Sequence, residues 1–255
     1  DYAVKHSAGG LSPRVKFKDL ANYEFLLPPK AEQARLAELL WAMDDVIEKE
    51  KQVLNICLIN KSVLSKNLLL GENELETCIQ KSPYGNIPIS WSLINLFDLR
   101  DPKDRYSFTG GPFGSDLKSK DYTASGVRVL QLQNIGEGEF IDNYSIFTSS
   151  EKADQLKSCN IYPGEIIMAK MAPVARCCII PKTSERFVMC SDGIRLKVNE
   201  KVYNCKFIYH AINSAHFRAY ADTKSSGTTR GRICLSVLKL IPIPIPSDFN
   251  QVEIS

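Results

Sequence analysis

Between Pro29 and Gly71 the chain holds neither proline nor glycine, and helix-forming residues dominate. Pro28 and Pro29 stand where a helix can start, because proline is tolerated in a first turn, and Gly71 stands where one can stop. The run therefore predicts one helix over residues 30–70, roughly 60 Å long at about 1.5 Å per residue. Leu36, Leu40, Met43, Ile47, Leu54, Cys57, Leu64 and Leu68 recur along it with helical spacing. A stripe of that length has to be buried against another long helix. Its interruption at Glu50 and Lys61 makes the pairing seam imperfect.

The ends of the chain repeat one another. A shift of 218 positions lays Tyr2 on Tyr220, Ala3 on Ala221, Ser7 on Ser225, Gly9 on Gly227, Arg14 on Arg232, Leu20 on Leu238, Pro28 on Pro246 and Gln33 on Gln251. Val15/Ile233, Phe17/Leu235 and Leu36/Ile254 are conservative pairs in the same register. The turn-forming and apolar residues coincide without a gap, which is the signature of a repeated unit. Each unit runs through a globular part into an Ile/Leu-Pro turn and then a helix. The chain begins with Asp1 rather than Met and is expected to be a piece cut through a two-unit protein.

Between the repeats, residues 72–86 read as a polar linker with Pro83 and Gly85, and the second globular unit starts at "IPISWSLINLFDL", residues 87–99. Strands are expected at 127–132, 165–170, 176–180, 187–190 and 193–198, where β-branched residues lie between glycines and prolines. Residues 206–221 read as a helix and 232–246 as an edge segment with alternating proline. Residues 1–27 read as the last strands of a preceding unit. The fold class is α+β, a globular domain with mixed and antiparallel strands joined to a long helix.

Composition removes several classes. The chain is 44% hydrophobic and 24% charged with a net charge of +3, too apolar and too balanced for a disordered tail. No apolar run approaches the roughly 18 residues of a spanning helix, so no membrane span is expected. The eight cysteines contain no Cys-x-x-Cys pair, and His6, His210 and His216 add no zinc spacing. Reduced, mostly buried thiols in a cytosol are expected. There is no Gly-Lys dipeptide of a phosphate-binding loop, no Gly-x-Gly-x-x-Gly, and no Asn/Asp-Pro-Pro-aromatic tetrad of an amino-methyltransferase. A Glu-x-Lys triplet of the nuclease type and a nucleophile elbow are also missing.

What remains is suited to nucleic acid. "FTGGPFGSDLKSKDY" gathers Gly110, Gly111, Gly114 and Ser115 into a loop that lets backbone approach a phosphate, with Lys118 and Lys120 behind it. "VRVLQLQNI" alternates, and Arg128, Gln131, Gln133 and Asn134 are side-chain types that pair with guanine or adenine. Arg176 stands between strands. Lys224, Arg230 and Arg232 fall in a basic stretch of small hydroxyl residues and glycine, which suits phosphate contact. Each group has a plainer reading as a tight turn, strand decoration or solvated loop. Asp192 and Arg195 read as ion-pair residues at the edge of the core.

In this order, "LPPKAEQARLAELLWAMDDVIEKEK", "GPFGSDLKSKDY", "QNIGEG", "YPGEIIMAKMAPVARCCIIP", "SSGTTRGRI" and "IPIPIP" resemble the DNA-specificity subunit of type I restriction-modification systems, across essentially the whole chain. The resemblance implies a non-catalytic subunit with two target-recognition domains, each followed by a long coiled-coil-type helix. Each domain reads half of a bipartite double-stranded DNA site. Carried over, 1–26 is the remnant of a first recognition domain, 27–71 the central conserved helix, 72–86 a linker, 87–242 a target-recognition domain and 243–255 the start of a distal helix. The implied partners are methyltransferase subunits and a restriction motor subunit, with a homodimer through the long helix as a further arrangement. No cofactor is expected in this chain; S-adenosylmethionine, ATP and magnesium belong to the partner subunits. The implied location is cytoplasmic. The alternative from the residues alone is a structural or oligomerisation protein, with a helical rod and a protein-binding domain.

Overall fold

A computed structural model of the chain describes residues 2–8, 14–72, 78–227 and 231–246. It divides into two units, Asp1–Leu58 and Ile59–Ser255.

The first unit begins with short helices where strands were expected, α1 (Tyr2–Lys5) and α2 (Phe17–Ala21), separated by a bridge between Ala8 and Arg14. It continues into α3 (Lys30–Leu70), whose last residues, from Ile59, belong to the second unit and whose ends fall at the proline and glycine signals. Gly71 ends the helix with φ of 67°, a left-handed conformation that glycine adopts without strain. Leu36, Leu40, Met43, Ile47, Leu54 and Leu64 of the expected stripe are exposed, as are Leu39, Val46 and Leu58 along the same face and Trp41, Ile56 and Val63 on the opposite one. The helix is thus apolar on more sides than one stripe accounts for, the pattern of a helix covered by other chains or elements.

By length and composition α3 could also cross a membrane, which corrects the expectation that no such run exists. Asn55, Asn60, Lys61, Lys66 and Asn67 in its second half would each need a polar partner in hydrocarbon.

In the second unit, residues expected as linker form a hairpin of β1 (Ile79–Ser82) and β2 (Gly85–Pro88). There follow β3 (Ser92–Asn95), β4 (Phe108–Gly110), β5 (Tyr122–Thr123), β6 (Val127–Leu130), β7 (Ile146–Thr148), α4 (Ser150–Gln155), β8 (Asn160–Ile161), β9 (Ile166–Ala169), β10 (Cys177–Ile179), β11 (Phe187–Met189) and β12 (Gly193–Leu196). The chain then forms α5 (Cys205–Asn213), α6 (Ala215–Thr223), α7 (Leu235–Leu238) and β13 (Pro242–Ile245). The helix expected over 206–221 is broken because Ser214 leaves helical geometry and its Oγ accepts from the Phe217 N–H, starting a new helix.

Four strands in the order β10-β9-β12-β4 make an antiparallel sheet. Five in the order β5-β7-β6-β11-β8 make a mixed one, in which β6 and β11 run parallel. β13 pairs with β3. The architecture is α+β with mixed and antiparallel strands. β9 and β12 are buried along their whole length, between α5 and α6 on one side and Ile161, Phe187 and Met189 on the other. Arg195, on β12, is buried and bonded to Glu165 and Asp104 at 2.6 Å each, as its reading as a core-edge ion pair requires. Cys159, Cys177, Cys178 and Cys190 are buried, whereas Cys57, Cys78 and Cys234 are exposed.

The repeat holds in three dimensions. Ala8 and Arg14 exchange backbone hydrogen bonds of 3.0 and 2.9 Å, and Ser226 and Arg232, each 218 positions on, exchange bonds of 2.9 and 2.8 Å. The Ser7 N–H donates to the Val4 carbonyl as the Ser225 N–H donates to Asp222, and α2 matches α7 in position. The second copy continues into β13, whereas among the described residues 24–27 pair with no strand, and Leu26 is 99% exposed. Most of the expected distal helix, residues 247–255, lies outside the described residues.

Candidate nucleic-acid interface

An open cleft of about 1070 Å³ lies within the second unit where β4, β9, α4 and the chain before α7 converge. Of the residues expected to meet DNA, it brings together Gly110, Gly111, Gly114, Ser115 and Arg232. It adds Lys152 and Lys170, which sequence reasoning missed.

The backbone sets the positions of Lys170 and Arg232. β9 delivers Lys170 from its end. The Ile233 N–H donates to the Lys170 carbonyl at 2.9 Å and the Ala172 N–H to that of Gly231 at 2.9 Å, so the chain carrying Arg232 runs alongside. Arg232 pairs with Asp192 at 2.8 Å. The Lys170 ammonium donates to the Ser191 carbonyl at 2.8 Å and makes no ion pair among the described residues. Burial pushes its pKa below the ordinary lysine value, against the attraction of Asp192. Lys152 is 3.8 Å from Asp121, too far for a tight pair. The cleft therefore offers Lys152 and Lys170 to an anion, with Asp192 paired to Arg232 and the exposed Asp116 carboxylate also on its lining.

The glycines have distinct tasks. A Cβ on Gly111 would lie 1.7 Å from the Cys190 carbonyl oxygen, so this glycine permits close packing of two backbones inside the protein. Gly110 makes room for the end of the Lys170 side chain. Gly114 faces open space.

Several expected readers are structural instead. Arg128 is 8% exposed; its guanidinium pairs with Asp142 at 2.5 Å and donates to the Tyr144 carbonyl at 2.9 Å. Its strand is buried on both faces because Leu130 on one side packs with Ile161, Ile167 and Phe187, and Val129 on the other packs with Ala153 and Val188. Asn134 is fully buried. Its Oδ1 accepts from the Gln131 N–H, and its Nδ2 donates to the carbonyls of Ile141 and Tyr144. Both leave the set of base readers.

Arg176 donates to the Leu132 carbonyl at 2.8 Å and lines a shallow groove with Gln133, Glu137 and Glu139, apart from the basic cleft. Gln131 is half-buried, while Lys118 and Lys120 are exposed beyond the cleft. Lys224 stacks its ammonium 5.1 Å from the Tyr220 ring. Arg230 lies outside the described residues. Among the described residues no group of three or more His, Cys, Asp or Glu side chains could hold a metal.

No family model matches the chain. It is 24% identical, over 92% of its length, to the type I restriction enzyme MjaVIII specificity subunit of Methanocaldococcus jannaschii, of which the match covers 54%. The MjaIX specificity subunit of the same organism is 24% identical over 71% of the chain and 40% of that protein. The chain is a homologue of type I restriction enzyme specificity subunits. This specificity-subunit homologue spans about half the length of the curated relatives it matches. In fold it is similar to a chain from a structural study of complex assembly and conformational transition in a type I R-M system, with a TM-score of 0.60, 17% identity and 96% of this chain against 55% of that one. It is also similar to the HsdS subunit of Thermoanaerobacter tengcongensis, with a TM-score of 0.53, 16% identity and coverage of 99% against 57%.

Proposed function

We propose that this chain recognises double-stranded DNA and carries no catalysis of its own. The second unit reads one half of a bipartite site, and α3 docks methyltransferase subunits. The observation that carries this reading is the cleft in which Lys152, Lys170 and Arg232 face a glycine-rich loop. Such a set anchors phosphates and orients nearby side chains toward base edges. The exposed apolar residues of α3 suit a protein partner, either a methyltransferase subunit or a second copy of this helix.

In this reading the target base is flipped into the partner methyltransferase. S-adenosylmethionine, ATP and magnesium are held by the methyltransferase and motor subunits, and the assembly works in the cytoplasm. Titration of the purified chain with duplex DNA at a series of salt concentrations tests the proposal. The expected result is a linear fall of log K with log salt, at about 0.9 per phosphate contacted, and no methyl transfer or cleavage by the chain alone. Salt-independent binding, or turnover of S-adenosylmethionine without added subunits, contradicts it.

A further inference from the structure

The loop at the mouth of the cleft carries one side chain that phosphate anchoring does not use. Phe113 is 82% exposed. Its surroundings are fixed: the Gly111 N–H donates to the Gly193 carbonyl at 2.9 Å, Pro112 is buried, and the Asp116 N–H donates to the Phe113 carbonyl at 2.8 Å. The ring therefore stands in water at the crest of a turn whose backbone is pinned. The backbone part of the ordering entropy that a contact would otherwise cost has been removed beforehand.

A single exposed apolar residue needs no special account. This one lines the same cleft as Lys152, Lys170 and Arg232. In the DNA-recognition reading above, a strand whose phosphates those cations hold would pass the crest of the loop, since Phe113 lines the same cleft. An apolar side chain presented there enters between stacked base pairs, and its π-face replaces part of the stacking that the opened step loses.

We propose that Phe113 is a wedge that opens one base step of the bound duplex; the proposal rests on the DNA-recognition reading above. Because pyrimidine–purine steps unstack most easily, the wedge selects sequence without a hydrogen bond to any base. It is a specificity-determining residue that composition and motif reading passed over.

The test uses the full chain and a duplex that it enriches from a random-sequence pool, scanned position by position with 2-aminopurine, whose fluorescence is quenched by stacking. The expected result is a severalfold rise at one pyrimidine–purine step. Phe113→Ala removes the rise and weakens binding about tenfold, and Phe113→Trp restores both. The ring is in solvent, so both variants keep the wild-type circular dichroism spectrum. Salt-dependent binding with no rise at any position, or a Phe113→Ala chain that keeps the rise, overturns the wedge and leaves DNA recognition standing. A chain that binds no DNA from the pool at low salt overturns both.

Discussion

A methyl group on Gly110 would lie 2.7 Å from the ammonium of Lys170. The conflict is with the tip of a flexible side chain, so Gly110→Ala displaces the lysine more than it strains the fold. Gly110→Ala is therefore expected to lose less than about 1 kcal/mol of stability. Its DNA affinity should nevertheless fall toward that of Lys170→Met. The latter should bind about tenfold more weakly at low salt, with the slope of log K against log salt reduced by about 1. Fluorescence anisotropy across a salt series and urea melts of the same samples check this. A Gly110→Ala chain with wild-type affinity would show that Lys170 does not reach a phosphate.

Arg128 behaves in the opposite way. Its guanidinium is buried against Asp142 and the Tyr144 carbonyl. Arg128→Leu is expected to lower stability by about 1–3 kcal/mol through the lost hydrogen bonds, while the DNA affinity of the folded fraction stays at the wild-type value. Affinity that collapses without a matching loss in urea melts would return Arg128 to the readers of bases.

These two residues show where the sequence is legible and where it is not. α3 could be read to the residue at both ends because Pro29 and Gly71 act locally. The offset repeat could be read because bridge, turn and helix recur in register, Ala8–Arg14 against Ser226–Arg232. Arg128 reads as a base reader by its side-chain type, although the alternation of residues 127–133 sets it on the face of Leu130 and Leu132; the packing of Leu130 on one side of β6 and Val129 on the other shows that the strand has no wet face. Asn134 was misplaced because its side chain closes a local turn on the Gln131 N–H. Lys170 ends a fully buried apolar strand, a signal that a charged side chain there is aimed at something. Its partner segment at 231–233 is remote in sequence, and no spacing rule links the two.

The glycine loop separates by position. Gly111→Ala drives a methyl into the Cys190 carbonyl, a backbone atom that cannot step aside, and is expected to cost about 3 kcal/mol, the upper end of what overpacking costs. Gly114→Ala points into open space and is expected to change stability by less than about 0.5 kcal/mol. Thermal melts of the two variants check the contrast. Equal losses would mean that the loop packs differently from the arrangement in which Gly111 donates to Gly193.

Acid stability turns on His216. Its ring packs edge-on to Tyr84 with centroids 5.2 Å apart, and its Nε2 is 3.0 Å from the Ser214 Oγ. Burial lowers its pKa to about 4, with Lys66 nearby acting in the same direction and Glu72 against it. The unfolded chain, with an ordinary value of 6.5, binds a proton at pH 5 that the folded chain refuses. The stability associated with the neutral ring is thus complete above about pH 6.5 and is lost as pH falls toward 4, by up to about 3 kcal/mol. His216→Phe keeps an aromatic contact with Tyr84, gives up the Ser214 bond at every pH, and removes the titration. Urea melts at pH 7.5, 6 and 5 should therefore show the wild-type chain losing more stability than the variant over that interval. Parallel losses in the two chains would place the acid sensitivity on the carboxylates instead, among them Glu137, which Arg218 holds below its usual pKa.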